Sequence, residues 1–280
     1  MSPSVPDGQL PPRQLPPVTR SQTLGEVAQT GGVWVVRHGE RADVVDPDWH
    51  LTAARPHDPP LTEHGFAQAA ATGVALRGER VDAVYTSPFL RCVQTAAAVA
   101  KELGAPLRVE PGLCEWINKD WFGDSHDPMD EGMATRELER VVAGIGGCKL
   151  DASYQPLWDS SGRAAASAGA AFRAVAFPES SEEAVERYES TVAQLRERDP
   201  YSVLVTHGYG VWTMAEWLLQ RDVTEDCGYC CVTRARRAIN KRGHEGWRCD
   251  VVADEAHLEA LGGEGGPALP AAPLGVRCVA

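Results

Sequence analysis

Four short apolar runs alternate with helical patterns along this chain, and three of them end abruptly at polar, reactive residues. Val33-Trp34-Val35-Val36 breaks off at Arg37-His38-Gly39-Glu40-Arg41. Val81-Asp82-Ala83-Val84-Tyr85 stops at Thr86-Ser87-Pro88, Leu107-Arg108-Val109 is a brief third run, and Tyr201–Val205 ends at Thr206-His207-Gly208. Helical signals fill the intervals. Thr62 suits an N-cap, with Leu61 and Phe66 placed as a hydrophobic staple. Ser87 as N-cap and Pro88 at the first helical position predict a helix running to Gly104, with Leu90, Val93, Ala97 and Ala100 on one face. Further helices are expected over 182–198 and 211–220. Strand, loop and helix in repetition predict an α/β fold, a three-layer sandwich with a mostly parallel central sheet and helices on both faces. In such sheets ligands bind beyond the carboxyl ends of the strands. The three polar groups are therefore expected along one edge.

The flanks differ from this middle. Pro3, Pro6, Pro11, Pro12, Pro16 and Pro17 crowd residues 1–30, which hold few apolar side chains, so that stretch is expected to be a disordered lead. Its PPRQLPPV could dock an aromatic groove as a polyproline helix, although a solvated tail is the simpler reading. Residues 262–280 are expected to be a flexible tail. The folded domain should then occupy 31–261, with an insertion of about 116–181 that folds over the active edge of the sheet or caps it. Of 280 residues 43% are hydrophobic and 24% charged, as in a globular protein. The formal charge of −12 argues against a nucleic-acid partner. No apolar run is long enough to span a bilayer, and the N-terminus lacks a basic, then apolar leader, so a cytoplasmic location without membrane association is expected. Eight cysteines without such a leader are expected to be reduced thiols.

The polar edge would gather Arg37, His38, Arg41, Arg91 and His207, together with Glu115. Three guanidiniums and two imidazoles converging in an acidic protein call for an anion, and a phosphoryl group matches arginine forks and imidazole donors. Gly39 and Gly208, directly after the two histidines, would let backbone approach the ligand. No G-x-S-x-G, H-E-x-x-H or G-x-x-x-x-G-K-[ST] occurs, which disfavours triad hydrolases, zincins and P-loop enzymes. Cys92 lies beside Arg91 but lacks the loop signature of cysteine phosphatases. His38 is the better nucleophile, since surrounding cations disfavour its protonated form.

RHGER (37–41), PPLTEHGFAQA (59–69), TSPFLRCVQTA (86–96), GLCEW (112–116), DASYQPL (151–157) and VTHG (205–208) run in order along the chain. Together they resemble the histidine phosphatase, or phosphoglycerate-mutase-like, superfamily. The similarity is nearest to the phosphatase domains of UBA- and SH3-domain-containing protein tyrosine phosphatases and of ecdysteroid-phosphate phosphatases. The resemblance implies a phosphomonoester hydrolase of the histidine acid phosphatase type. His38 would accept the phosphoryl group, Glu115 would donate and later take up the proton, and Arg37, Arg41, Arg91 and His207 would bind phosphate. It implies no metal and no organic cofactor. A phosphotyrosine-like or other bulky alcohol phosphate is the expected substrate, carried by a small molecule or a phosphoprotein, with a homodimer left open. No UBA or SH3 sequence accompanies the motifs, and the stretch from Trp116 to Arg136 matches no pattern of the family.

Two rivals stand beside this reading, a phosphoglycerate-mutase-type phosphotransferase and a non-catalytic phosphate-binding scaffold. The second would not require Glu115. Among single residues, His64 is expected to face solvent early in a helix, and Trp121 and Phe122 either line the substrate or pack. Cys227, Cys230, His244 and Cys249 could form a zinc site on paper, but only one pair has ligand spacing and Tyr229–Thr233 looks like a strand. Plain thiols are the preferred reading.

Overall fold

Alternate residues of the first strand face opposite ways, and in this chain both directions are apolar. The computed structural model describes residues 28–124, 127–131, 135–159, 173–239 and 245–261. In it β1 (Ala28–Arg37) is followed by two single-turn helices, α1 (Ala42–Val45) and α2 (Trp49–Thr52). Then come α3 (Glu63–Ala75), β2 (Ala83–Thr86), α4 (Leu90–Leu103) and β3 (Leu107–Val109). The middle of the chain forms α5 (Lys119–Phe122), α6 (Thr135–Ile145) and the short strands β4 (Trp158–Asp159) and β5 (Arg173–Ala174). The last part contributes α7 (Ser181–Arg198), β6 (Tyr201–Thr206), α8 (Gly208–Leu219), β7 (Val232–Ile239) and β8 (Glu245–Asp254).

The six-stranded sheet has the order β3-β2-β6-β1-β7-β8, and β4 pairs with β5 apart from it. Strands β3, β2, β6 and β1 are parallel, and β7 and β8 continue the sheet antiparallel. Val33 and Val35 pack beneath α7 and α8 with Tyr188, Leu195 and Met214. Trp34 and Val36 face the other way, among Val93, Ala97 and Ala100 of α4 and Leu138 and Val142 of α6. A run apolar on both faces is what a sheet covered by helices on both sides requires. Burying each such side chain contributes about 1.5–3 kcal/mol over leaving it exposed.

Local signals are realised unevenly. Thr62 caps α3, its hydroxyl accepting from Gly65 N, and Gly104 ends α4 with φ of 64°. The start of α4 differs from the expectation: Phe89, not Ser87, is the N-cap, and the helix begins at Leu90. Ser87 lends its hydroxyl to His207 instead, at 2.8 Å from Nε2. Tyr229, Cys230 and Cys231 form a turn rather than a strand, and β7 begins at Val232. The segment 116–181 divides in two where it is described. Phe122 of α5 packs with Phe89 and Ile117, whereas α6 joins the α4 side of the core. Most of the Pro-rich lead, the whole 262–280 tail and His244 lie outside the described residues.

Candidate active site

Strand order explains why distant motifs meet. β6 lies between β2 and β1, with Arg37 in register with Thr206 and Thr86 with Val205. The three polar strand ends therefore form one row at the carboxyl edge. Above it is a cavity of about 390 Å³ lined by Arg37, His38, Arg41, Arg91 and Glu115, with Trp121, Phe122 and Tyr229 at its walls. His207 is fully buried and lies below this lining, its ring centroid 5.4 Å from that of His38. All six residues singled out from the sequence thus share one place.

His38 is fixed by a single bond. Its Nδ1 lies 2.8 Å from Gly39 O, and a carbonyl only accepts, so Nδ1 carries the proton and Nε2 keeps its lone pair. Burial first, then the charges of Arg91, Arg37 and Arg41, push its pKa well below the ordinary value. His207 is lowered likewise, by burial and then by Arg91. Arg91 Nη2 approaches His207 Nδ1 at 3.2 Å and can only donate, so Nε2–H of His207 donates to Ser87 Oγ. Glu115 is held above the usual carboxylate range by burial, against the opposing pull of Arg91 and of the Trp116 amide. Its Oε2 lies 3.5 Å from His207 Nδ1. Burial lowers the imidazole pKa and raises that of the carboxyl, and both shifts disfavour an ion pair here.

The guanidiniums are held from behind. Arg37 Nη1 donates to Cys227 O at 2.5 Å and the group lies 4.4 Å over the Tyr229 ring. Arg91 Nη1 donates to His57 O, and Arg41 Nη2 to Asp43 at 3.0 Å. In all three the Nε–H is buried with no hydrogen-bond partner among the described residues. Three guanidiniums lining one cavity suit an oxyanion, which charge-assisted hydrogen bonds would hold. The amino ends of α4 and α8, which bring Arg91 and Gly208 to the lining, favour negative charge as well.

Comparison with known proteins finds similarity over part of the chain. The model of the histidine phosphatase superfamily (branch 1) matches residues 33–141, a stretch that holds Arg37, His38, Arg41, Arg91 and Glu115. Residues 33–141 are thus similar to the histidine phosphatase superfamily. Human ubiquitin-associated and SH3 domain-containing protein A is 32% identical over 179 residues, covering 51% of this chain and 26% of that protein. The ecdysteroid-phosphate phosphatase of Bombyx mori is 32% identical over 155 residues, covering 44% of this chain and 22% of that protein. The chain thus spans about a quarter or less of the length of these curated relatives. A solved ecdysone phosphate phosphatase from Bombyx mori, in complex with tungstate, superposes with a TM-score of 0.55 at 22% identity, over 88% of this chain and 98% of that one. At that identity the likeness concerns the fold.

Several residues at the site gave no signal in the sequence. Tyr229 stacks on both Arg37 and His38, and His57 and Asp43 line the cavity. His57 and Tyr229 come from irregular loops and Asp43 from the single-turn α1, all too short for a period to mark a side chain's direction. Gly39 has a different reason from the one expected. A Cβ there would meet Gly65 O of α3 at 2.6 Å, so the close approach is to a helix rather than to a ligand. Gly208 does line the cavity. Cys92 is beside His207, but burial pushes its thiol pKa up and away from a nucleophilic thiolate. Of the cysteines weighed for zinc, Cys227 shares a hydrogen bond with Cys231, and burial pushes Cys230 up to about 12. Among the described residues no group of three or more metal-ligating side chains occurs.

Proposed function

We propose that this chain hydrolyses phosphate monoesters through a phosphohistidine. The observation that carries the reading is His38, which lines the cavity with Nδ1–H committed to Gly39 O and Nε2 unprotonated, amid three guanidiniums with unsatisfied donors. Nε2 attacks phosphorus in line, forming the P–N bond as the ester P–O bond breaks. Glu115, whose protonated form burial favours, gives its proton to the departing oxygen. Glu115 then takes a proton from water, which attacks the phosphohistidine and restores His38. Arg37, Arg41 and Arg91 hold the charge of the phosphoryl oxygens throughout, and His207 forms the floor in contact with Arg91 and Glu115.

The substrate we propose is an aryl phosphate of the phosphotyrosine kind or another bulky alcohol phosphate. Trp121, 39% exposed, and Phe122, Tyr229 and His57 offer flat apolar walls at the cavity. A relative named for ecdysteroid phosphates agrees with a bulky leaving group. The unit that works is residues 31–261. A cytoplasmic location is supported by free thiols at all seven cysteines among the described residues, and no described helix is long and apolar enough to cross a membrane. The formal charge of −12 supports a partner list without nucleic acid.

Hydrolysis of p-nitrophenyl phosphate by the wild-type chain and by His38→Ala tests the reading. Turnover should be lost in the variant, and acid-labile phosphate should be trapped on the wild type alone. Wild-type turnover in His38→Ala would refute the nucleophile.

A further inference from the structure

The segment that carries Glu115 belongs neither to the sheet nor to a helix of any length. Between a single 3-10 turn at Pro111–Leu113 and α5, the chain runs extended, so its carbonyls lack ladder partners. Four consecutive carbonyls are nevertheless satisfied, all by side chains of α7 and β6. Arg187 Nη1 donates to Gly112 O at 2.9 Å and to Cys114 O at 3.0 Å, and Nη2 donates to Glu115 O at 3.2 Å. Thr206 Oγ1 donates to Leu113 O at 2.7 Å, and the Tyr188 hydroxyl to Cys114 O at 2.5 Å. Arg187 is itself 1% exposed and fixed by a bidentate pair with Glu179, Nε and Nη2 each at 2.7 Å from a carboxylate oxygen. Glu179 closes the frame through its backbone, its carbonyl accepting from Trp116 Nε1 and its amide donating to Ile117 O.

We propose that Arg187, oriented by Glu179, is the positioning residue of the general acid: it fixes the backbone at 112–115 so that the Glu115 carboxyl stands at the leaving-group side of the cavity. The proposal rests on the phosphatase reading above. Arg187 does not line the cavity, and its guanidinium is fully used on protein acceptors, so it is no phosphate ligand. A planar fork with five donors suits the task, because one rigid group must serve three carbonyls and a carboxylate at once. Lysine keeps the charge but has a single ammonium on a flexible stem, which cannot reproduce that set.

The test compares kcat/KM on p-nitrophenyl phosphate, whose leaving group departs without a proton, with that on an alkyl phosphate, whose leaving group needs one. Arg187→Lys should lower the alkyl value by on the order of 10²-fold while the nitrophenyl value falls less than about threefold, the cost of a displaced catalytic group. Inhibition by vanadate should stay at the wild-type concentration. In a Glu115→Gln background, Arg187→Lys should add no further discrimination between the two esters. Should Arg187→Lys fold poorly, the paired Arg187→Met/Glu179→Gln variant removes both buried charges together, and thermal stability should largely return while the selective alkyl loss remains. Equal losses on both esters, or recovery of the alkyl rate along with stability, would reduce Arg187 to a packing role and overturn the proposal. A wild-type chain inactive on both esters would instead remove the phosphatase reading, on which the proposal stands.

Discussion

In the proposed mechanism His38 must be neutral to attack and Glu115 must hold a proton to release the leaving group, and burial shifts each in the useful direction. The His38 pKa is pushed well below its ordinary value by burial and by the neighbouring arginines, so its neutral form extends further into acid than that of a free imidazole. That of Glu115 is raised, so its proton persists above the usual carboxylate range. The two displacements widen the interval in which both groups are in their working forms. For an alkyl phosphate, kcat/KM should hold through mildly acidic pH and fall as pH rises through the raised pKa of Glu115. Glu115→Gln should lose on the order of 10²-fold of that rate and the alkaline fall with it. An alkaline limb unchanged in the variant would assign it to another group. At this scale residue types and the neutral form of His38 were legible in the sequence, and the tautomers were not. The tautomer of His38 depends on one carbonyl, and that of His207 on Arg91 and Ser87, more than a hundred positions away.

Among the elements, α3 shows how a helix start can position a catalytic loop. Thr62 caps it, and the same hydroxyl donates to Glu40 Oε1 at 2.7 Å. Gly39 and Gly65 then pass so closely that a Cβ on Gly65 would overlap the carbonyl of Glu40. Gly65→Ala should therefore force the loop of residues 38–40 outward, lowering stability by about 1–3 kcal/mol by thermal denaturation and weakening the proposed hydrolysis of p-nitrophenyl phosphate together. Stability unchanged would mean that the helix tilts away without cost. Thr62 was legible because capping is local chemistry. The end of β2 was misleading for the opposite reason. Ser87 and Pro88 form a good local start signal, but a buried imidazole competes for the hydroxyl, and the helix begins at Leu90. The alternation of β7, Val232-Thr233-Arg234-Ala235-Arg236-Arg237, was hidden by arginines whose charges are met by Glu79 and Glu197 elsewhere in the fold.

For the molecule as a whole, the cavity concentrates positive charge in a chain of formal charge −12. Arg37, Arg41 and Arg91 repel one another around the cavity they share, which opposes folding until an anion arrives. Vanadate or phosphate should raise the melting temperature, since a ligand of the native state adds about 2.7 kcal/mol at a hundred times its dissociation constant. Arg91→Ala should lose most of that increase through the missing charge-assisted donors, measured by thermal scans across a vanadate series. An equal increase in the variant would take Arg91 out of the anion site.

The layered α/β architecture and the identity of the reactive residues follow from local rules, because strand runs, caps and glycine stops act over a few positions. The common edge was implied as well, since parallel strands put their carboxyl ends on one side. The order β3-β2-β6-β1, which sets Arg37, Thr86 and Thr206 in one row, was decided only by tertiary packing. So were the Arg187 frame under Glu115 and the Tyr229 platform beneath Arg37. Hydrogen bonds and ring contacts between loops depend on distance and direction in space, and no periodicity along the chain encodes either.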